Sequence, residues 1–148
     1  MAIQIDHDFI INAPASVVWD VLTDTASYGQ WNPFVLECQA ELRPGGPINM
    51  KVLLGSSIQK ANEVIDTVNE GRGFSYRMKP PPLGALRSYR IHDIEPTGDN
   101  ACRYTSHFEL QGWLSPLVGL LMESKMQQGF DGMSDALKER AEALAKAS

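Results

Sequence analysis

The side chains best suited to proton chemistry fall in three short stretches of the chain. Tyr76 sits within Phe74–Met78, Arg90 and His92 are two residues apart, and so are Tyr104 and Ser106. A spacing of two puts both members of a pair on one face of a strand. A histidine or tyrosine in such a place can shuttle a proton. An arginine beside it can stabilise an enolate oxygen. If instead no bond changes, the same groups fix the orientation of a bound molecule. His107 and Glu109 form another pair at the same spacing with the look of an acid/base couple.

Which groups can meet depends on the strands that carry them. Tyr104, Ser106, Phe108 and Leu110 alternate with Arg103, Thr105, His107 and Glu109. The apolar set should face inward, so His107 and Glu109 are expected on the solvated face. On the preceding strand two registers are open. Either Ile94 faces in, together with His92, Arg90 and Ser88, or Tyr89 and Ile91 do and the polar residues lie outside. An inward arginine is costly unless paired or wet, which makes it a ligand anchor if that register holds. Tyr76 shares parity with Phe74 and Met78. Its hydroxyl either reaches an internal space or bonds to backbone. His7, on the apolar parity of the first strand, reads as a core histidine.

The remaining elements follow from periodicity. Ile3, Ile5, His7, Phe9 and Ile11 alternate as a half-buried strand. Pro14 suits a first helical position, and Val17, Val18, Val21 and Leu22 give that helix an apolar face. A further turn over Ala26–Trp31 is stopped by Pro33. Phe34 to Leu42, Ile48 to Leu54, Ile58 to Val68, Phe74 to Met78, Leu86 to Ile94 and Tyr104 to Leu110 then read as strands. Turn clusters at Arg43–Pro47, Gly55–Ser57, Asn69–Gly73 and Glu95–Asn100 separate most of them. The run Lys79–Gly84, with Pro80, Pro81 and Pro82, cannot continue a ladder, and it is either an entry gate or a stiff connection. Ser115-Pro116 opens a helix with no later proline. Met122, Met126, Phe130, Met133, Leu137, Ala141 and Leu144 mark one face of it. About thirty residues at about 1.5 Å each span about 45 Å, more than a small domain is wide.

Short turns between strands imply an antiparallel meander, so the fold class is α+β. One long helix must cover the apolar face of about seven strands. A sheet of that size curls, and curling around one rod leaves volume that large side chains or a ligand must fill. The helix stripe offers three methionines, which accommodate varied apolar guests. It also carries Gly129 and Gly132, each costing about 1 kcal/mol against alanine and so implying a packing or bending reason. At this spacing a methionine stripe is usually ordinary core; a dimer seam is the further reading, but the stripe lacks regular flanking charge pairs.

Composition narrows the partners. The length of 148 residues asks for one domain spanning 1–148. With 13 Lys+Arg against 18 Asp+Glu the net charge is −5, which argues against nucleic acid and against docking on an anionic membrane. No stretch approaches a membrane-spanning length and no secretory leader is visible, so a cytoplasmic protein is expected. Cys38 and Cys102 are expected as buried small hydrophobes. Three histidines and two cysteines without close spacing argue against a metal site. Neither a phosphate-binding glycine loop nor a Gly-x-Ser-x-Gly elbow occurs, and no cofactor is expected.

The run Ile11-Asn12-Ala13-Pro14 through Leu22-Thr23-Asp24, followed by Trp31-Asn32-Pro33, resembles the opening of the START-like superfamily in its bacterial polyketide cyclase/dehydrase branch. The Pro96-to-Cys102 turn, Gly112 and the long final helix are similar to the same pattern, so the resemblance covers essentially the whole chain. It implies a helix-grip fold, a seven-stranded antiparallel sheet wrapped around the C-terminal helix with two short helices after strand 1. It favours Ile94 inward, hence Arg90 and His92 at the cavity. It also implies a ligand that is hydrophobic: a lipid, polyketide or aromatic. The expected ligand contacts are Trp31, Asn32, Met50, Val52, Tyr76, Met78, Arg90, His92, Tyr104, Ser106, Met122, Met126 and Phe130. Trp31 is either at the cavity mouth or a plug. Three roles stay open: a binding module, a cyclase/dehydratase-type enzyme using His92 and Arg90 in the same cavity, or an interaction module that forms a homodimer.

Overall fold

The structure is a computed structural model that describes residues 3–79 and 81–147. Seven strands form one antiparallel sheet: β1 (Ile3–Ile11), β2 (Val35–Ala40), β3 (Pro47–Leu54), β4 (Ser57–Asn69), β5 (Gly73–Met78), β6 (Arg87–Gly98) and β7 (Ala101–Gln111). Their spatial order is β1-β7-β6-β5-β4-β3-β2, a meander from β2 to β7 closed by β1 alongside β7. Between β1 and β2 lie α1 (Ala15–Thr23) and a 3-10 turn (Thr25–Gln30). The chain ends in α2 (Ser115–Ala147), 33 residues long. The sheet wraps α2, which is the helix-grip arrangement.

Local sequence accounts for most boundaries and for four departures. Pro14 does not begin α1; its backbone is extended (φ −56°, ψ 146°) and its carbonyl accepts from Val17 and Val18. It therefore precedes the helix, as its own carbonyl is needed to start it. The parity of β2 breaks at a register shift between Val35 and Glu37. The buried Asn32 carbonyl oxygen accepts from the amides of Phe34 and Val35, both at 2.9 Å, and fixes that irregularity. Val35 and Cys38 are thus buried while Leu36 is not. β6 continues beyond Ile94 to Gly98, with a second register shift at Pro96 and Gly98, the kind of place where a strand tolerates proline. Leu144, at the tail of the helix stripe, is 42% exposed and borders a groove beside α1, while Ala145 packs against the core in its place. Pro80 lies outside the described residues. After it, Pro82–Gly84 forms a short turn, and the Trp113 indole N–H donates to the Leu83 carbonyl (3.0 Å). Both cysteines are free and buried.

At Gly112 the chain must leave β7 and turn into α2. Its φ is +116°, and a Cβ there would meet the Ala85 carbonyl oxygen at 2.3 Å, so glycine is required. Along α2 the buried residues are concentrated late, at Met126, Phe130, Met133, Leu137 and Ala141. Earlier in the helix Leu117, Leu120 and Leu121 are exposed. The helix is buried most fully along its C-terminal half; in its N-terminal half Gly119 lies against Ile3 of β1, while Val118 and Met122 are only partly buried.

Gly129 lets that grip close. A Cβ on it would lie 2.2 Å from the Phe34 ring, whereas one on Gly132 would meet only Pro33 at an ordinary 3.4 Å. Gly132→Ala should therefore stabilise by up to about 1 kcal/mol through helix propensity. Gly129→Ala should destabilise by about 1–3 kcal/mol despite the same propensity gain, since the ring must move within a packed core. Urea unfolding of the two variants checks the contrast.

Candidate functional site

Register brings the site together. Ile65 on β4 pairs with Tyr76 on β5, Tyr76 with Arg90 on β6, Arg90 with Phe108 on β7, and Phe108 with Ile5 on β1. This row crosses the inner face of the sheet beneath α2. Arg90 is 2% and His92 1% exposed, so the register with Ile94 inward is the one adopted. His107 and Glu109 take the opposite face, where His107 pairs with Asp6 and lies 3.5 Å from Glu109.

Along the N-terminal half of α2, two adjoining compartments open. The inner one, about 160 Å³, is bounded by Phe34, Val35, Met50, Val52, Tyr76 and Arg90 on the sheet side and by Met126 and Phe130 of α2. The outer one, about 430 Å³, is bounded by Met78, Leu110, Val118 and Met122 among others. Leu54, Ala61, Glu63, Phe108 and Met126 border both. The walls are mainly apolar, with polar groups confined to a few positions, the usual composition of a small-molecule site.

Arg90 holds the centre of the inner compartment. Its Nη1 donates to the Tyr76 hydroxyl and approaches the Met133 sulfur, both at 3.5 Å. Its guanidinium carbon lies 4.5 Å from the centre of the Phe130 ring, a cation–π contact. Its Nε and Nη2 have no partner of hydrogen-bond geometry among the described residues. Tyr76, beside it, has its phenol pushed up to about 12 by burial, against the lowering pull of Arg90.

Of the residues expected from sequence, Met50, Val52, Tyr76, Arg90, Met126 and Phe130 line the inner compartment. Met78 and Met122 line the outer one. His92, Tyr104 and Ser106 are inward-facing but enclosed by neighbours. The His92 Nδ1 and the Tyr104 hydroxyl share a hydrogen bond of 2.7 Å, and Ser106 Oγ lies 3.5 Å from His7 Nδ1. Burial, then the charge of Arg90, holds the His92 imidazole well below its usual range, so it stays neutral. Asn32 is turned to the backbone of β2. Trp31 packs edge-on against Tyr28 and faces a groove with Val21, Arg140 and Leu144, on another side of α2 from the cavity.

Glu63 is the residue that sequence reasoning missed. It borders both compartments, and burial raises its carboxyl to about 7 against the opposing pull of Arg90. The signal was its parity with Ala61 and the fully buried Ile65, obscured by the many polar residues of β4. Among the described residues no cluster of histidine, cysteine and carboxylate side chains is suited to hold a metal.

Comparison with known proteins agrees with this geometry. Residues 2–142 match the family described as polyketide cyclase / dehydrase and lipid transport. No curated protein matches the chain. Among solved structures, a START superfamily protein from Mycobacterium smegmatis is similar with a TM-score of 0.75 at 15% identity, covering 95% of this chain and 98% of that one. An aromatase/cyclase from a Streptomyces species gives 0.77 at 15%, covering 96% and 94%. A norcoclaurine synthase point mutant from Thalictrum flavum, in complex with a transition-state analogue, gives 0.71 at 16%, covering 100% and 98%. At these identities the likeness is one of fold.

Glu63 ionises near 4.5 in an ordinary setting and near 7 in the folded chain. The unfolded chain thus releases this proton first. The stabilisation this group supplies is complete below about 4.5 and is lost as pH climbs through about 7. Carbon-13 carboxyl NMR should place the midpoint near 7. Arg90→Gln should move it higher, and Glu63→Gln should flatten the decline of stability across that window.

Proposed function

The chain belongs to the polyketide cyclase / dehydrase and lipid transport family, and from that premise we propose that it encloses one small hydrophobic molecule, a lipid, polyketide or aromatic, between the sheet and the N-terminal half of α2. The observation that carries this reading is the pair of adjoining compartments with apolar walls and a single buried cation at the inner end. Apolar burial supplies affinity at about 25 cal/mol per Å², and Tyr76 and Arg90 set which end of the ligand goes in.

A second reading is turnover of the cyclase/dehydratase type. It is favoured by Glu63, Arg90 and Tyr76 bordering one space. A carboxyl that titrates near 7 is suited to general acid/base work at neutral pH. An arginine beside it would stabilise an enolate oxygen. In that reading Glu63 takes the part first given to His92, whose ring is enclosed against Tyr104. Proximity of the ends of a folded chain would supply much of the rate.

The proposal also includes a cytoplasmic location and no nucleic-acid partner, which the net charge of −5 supports. For the described residues, no helix is long and apolar enough to cross a membrane. A homodimer would use the exposed row Trp113, Leu117, Leu120 and Leu121. Sedimentation velocity that shows only monomer rules it out.

Filling the space gives the direct test of binding. Ala61 borders both compartments, so Ala61→Phe should weaken binding of an apolar fluorescent probe by at least roughly tenfold, about 1.4 kcal/mol, while the fold persists by circular dichroism. Unchanged affinity would sink the reading. Incubation with a polyketone beside a protein-free control, followed by chromatography and mass, separates the roles: cyclised or dehydrated product formed faster than in the control requires turnover, and no difference from the control leaves binding alone.

A further inference from the structure

This inference rests on the cavity being a ligand site and concerns the polar end of that ligand. Arg90 is a buried cation whose hydrogen bonds to Tyr76 and Met133 both leave from Nη1, with Tyr104 also close enough to feel its charge. Phe130 lies against the flat face. Nε and Nη2, both buried, have no partner of hydrogen-bond geometry among the described residues. These two nitrogens share one edge of the planar group and their N–H bonds run nearly parallel. That edge matches the two oxygens of a carboxylate, which accept both bonds at once in a charge-assisted pair.

No acidic side chain takes this edge. The ion pairs of the described residues involve Arg43, Arg77, Arg103, Lys51, Lys138, His7 and His107, never Arg90. Glu63, bordering the same compartment, is not within hydrogen-bond distance of it. The one carboxyl that shares the compartment with Arg90, Glu63, is raised toward neutrality by burial and makes no ion pair with it, so the open edge calls for a ligand carrying one negative charge. A dianion would bring in a second charge with nothing to meet it in walls made of Phe34, Val35, Met50 and Phe130. The outer compartment continues from there, with Met78, Leu110, Val118 and Met122 on its apolar side and Lys60, Asn62, Lys79 and Ser88 also on its border.

We propose that the cavity takes a monocarboxylic amphiphile, an acyl or aryl-alkyl acid, with its carboxylate across Nε and Nη2 of Arg90 and its tail in the outer compartment. Glu63 stands beside the carboxylate and donates to it when protonated.

The test compares dodecanoate with dodecanol on the delipidated full chain by isothermal titration calorimetry. The two share a tail and differ at the polar end. Dodecanoate should bind at least roughly tenfold tighter, the worth of a charge-assisted pair of hydrogen bonds. Arg90→Met, which keeps the stem against Phe130, should bring the ratio to about one, and Arg90→Lys, a cation without the fork, should fall between. Equal binding of acid and alcohol by the wild-type chain overturns the carboxylate assignment and leaves the cavity reading intact. Binding of neither overturns both. The wild-type comparison needs no variant, so it stands even if Arg90→Met fails to fold.

Discussion

A guanidinium is fixed in the middle of an apolar cavity, and the interior is arranged around that charge. Arg90 cannot shed its proton to escape the cost of burial, as a lysine or histidine could. The surrounding groups must accommodate a permanent cation. Phe130 offers its ring face, Tyr76 its hydroxyl, and Met133 its sulfur. The same charge helps keep His92 neutral and draws the carboxyl of Glu63 downward against burial. A site with one fixed charge and otherwise apolar walls discriminates among ligands by their polar end far more sharply than by their tail, because an unpaired buried charge costs more than a misplaced methylene.

The second constraint is the uneven grip on α2. From Met126 onward the helix is anchored by Phe130, Met133, Leu137 and Ala141, and Gly129 admits the ring of Phe34 against its backbone. Phe130 packs at a tilt between Phe34 and Phe108, with centroid distances of 4.8 and 4.6 Å. They form the boundary between solid core and open compartment. Before Met126 the helix presents Val118 and Met122, partly buried against the core, to the border of the outer compartment. The hydrophobic residues that would have filled that space are instead on the outside of the helix, at Leu117, Leu120 and Leu121.

This division also separates stability from function. His92, Tyr104 and Ser106 share a face with Arg90 but lie at the packed end, where His92 and Tyr104 satisfy each other. Glu63 and Tyr76 lie at the open end, where they can meet a ligand. The family and the fold admit carriers and enzymes alike.

Much of this was legible in the sequence. Alternation placed Tyr104, Ser106, Phe108 and Leu110 on one face, and the 3–4 spacing of Met122 to Ala141 defined the buried side of α2, because both periods follow from backbone geometry alone. The pairing of Arg90 and His92 on one face was legible too, but not which face, since apolar residues occupy both parities of β6. Glu63 was hidden for a related reason: β4 is polar at most positions, so no pattern marked its inner side. The family resemblance put Trp31 and Asn32 near the cavity mouth, with Trp31 open to being a plug, yet the turn before β2 directs one to an outer groove and the other to backbone amides. Periodicity is a property of neighbours along the chain, and it sufficed for the elements and the inward face. The difference between a packed inward residue and one that borders open space depends on how far the helix stands from the sheet. That distance is set by long-range contacts such as Gly129 against Phe34, which only the folded chain brings together.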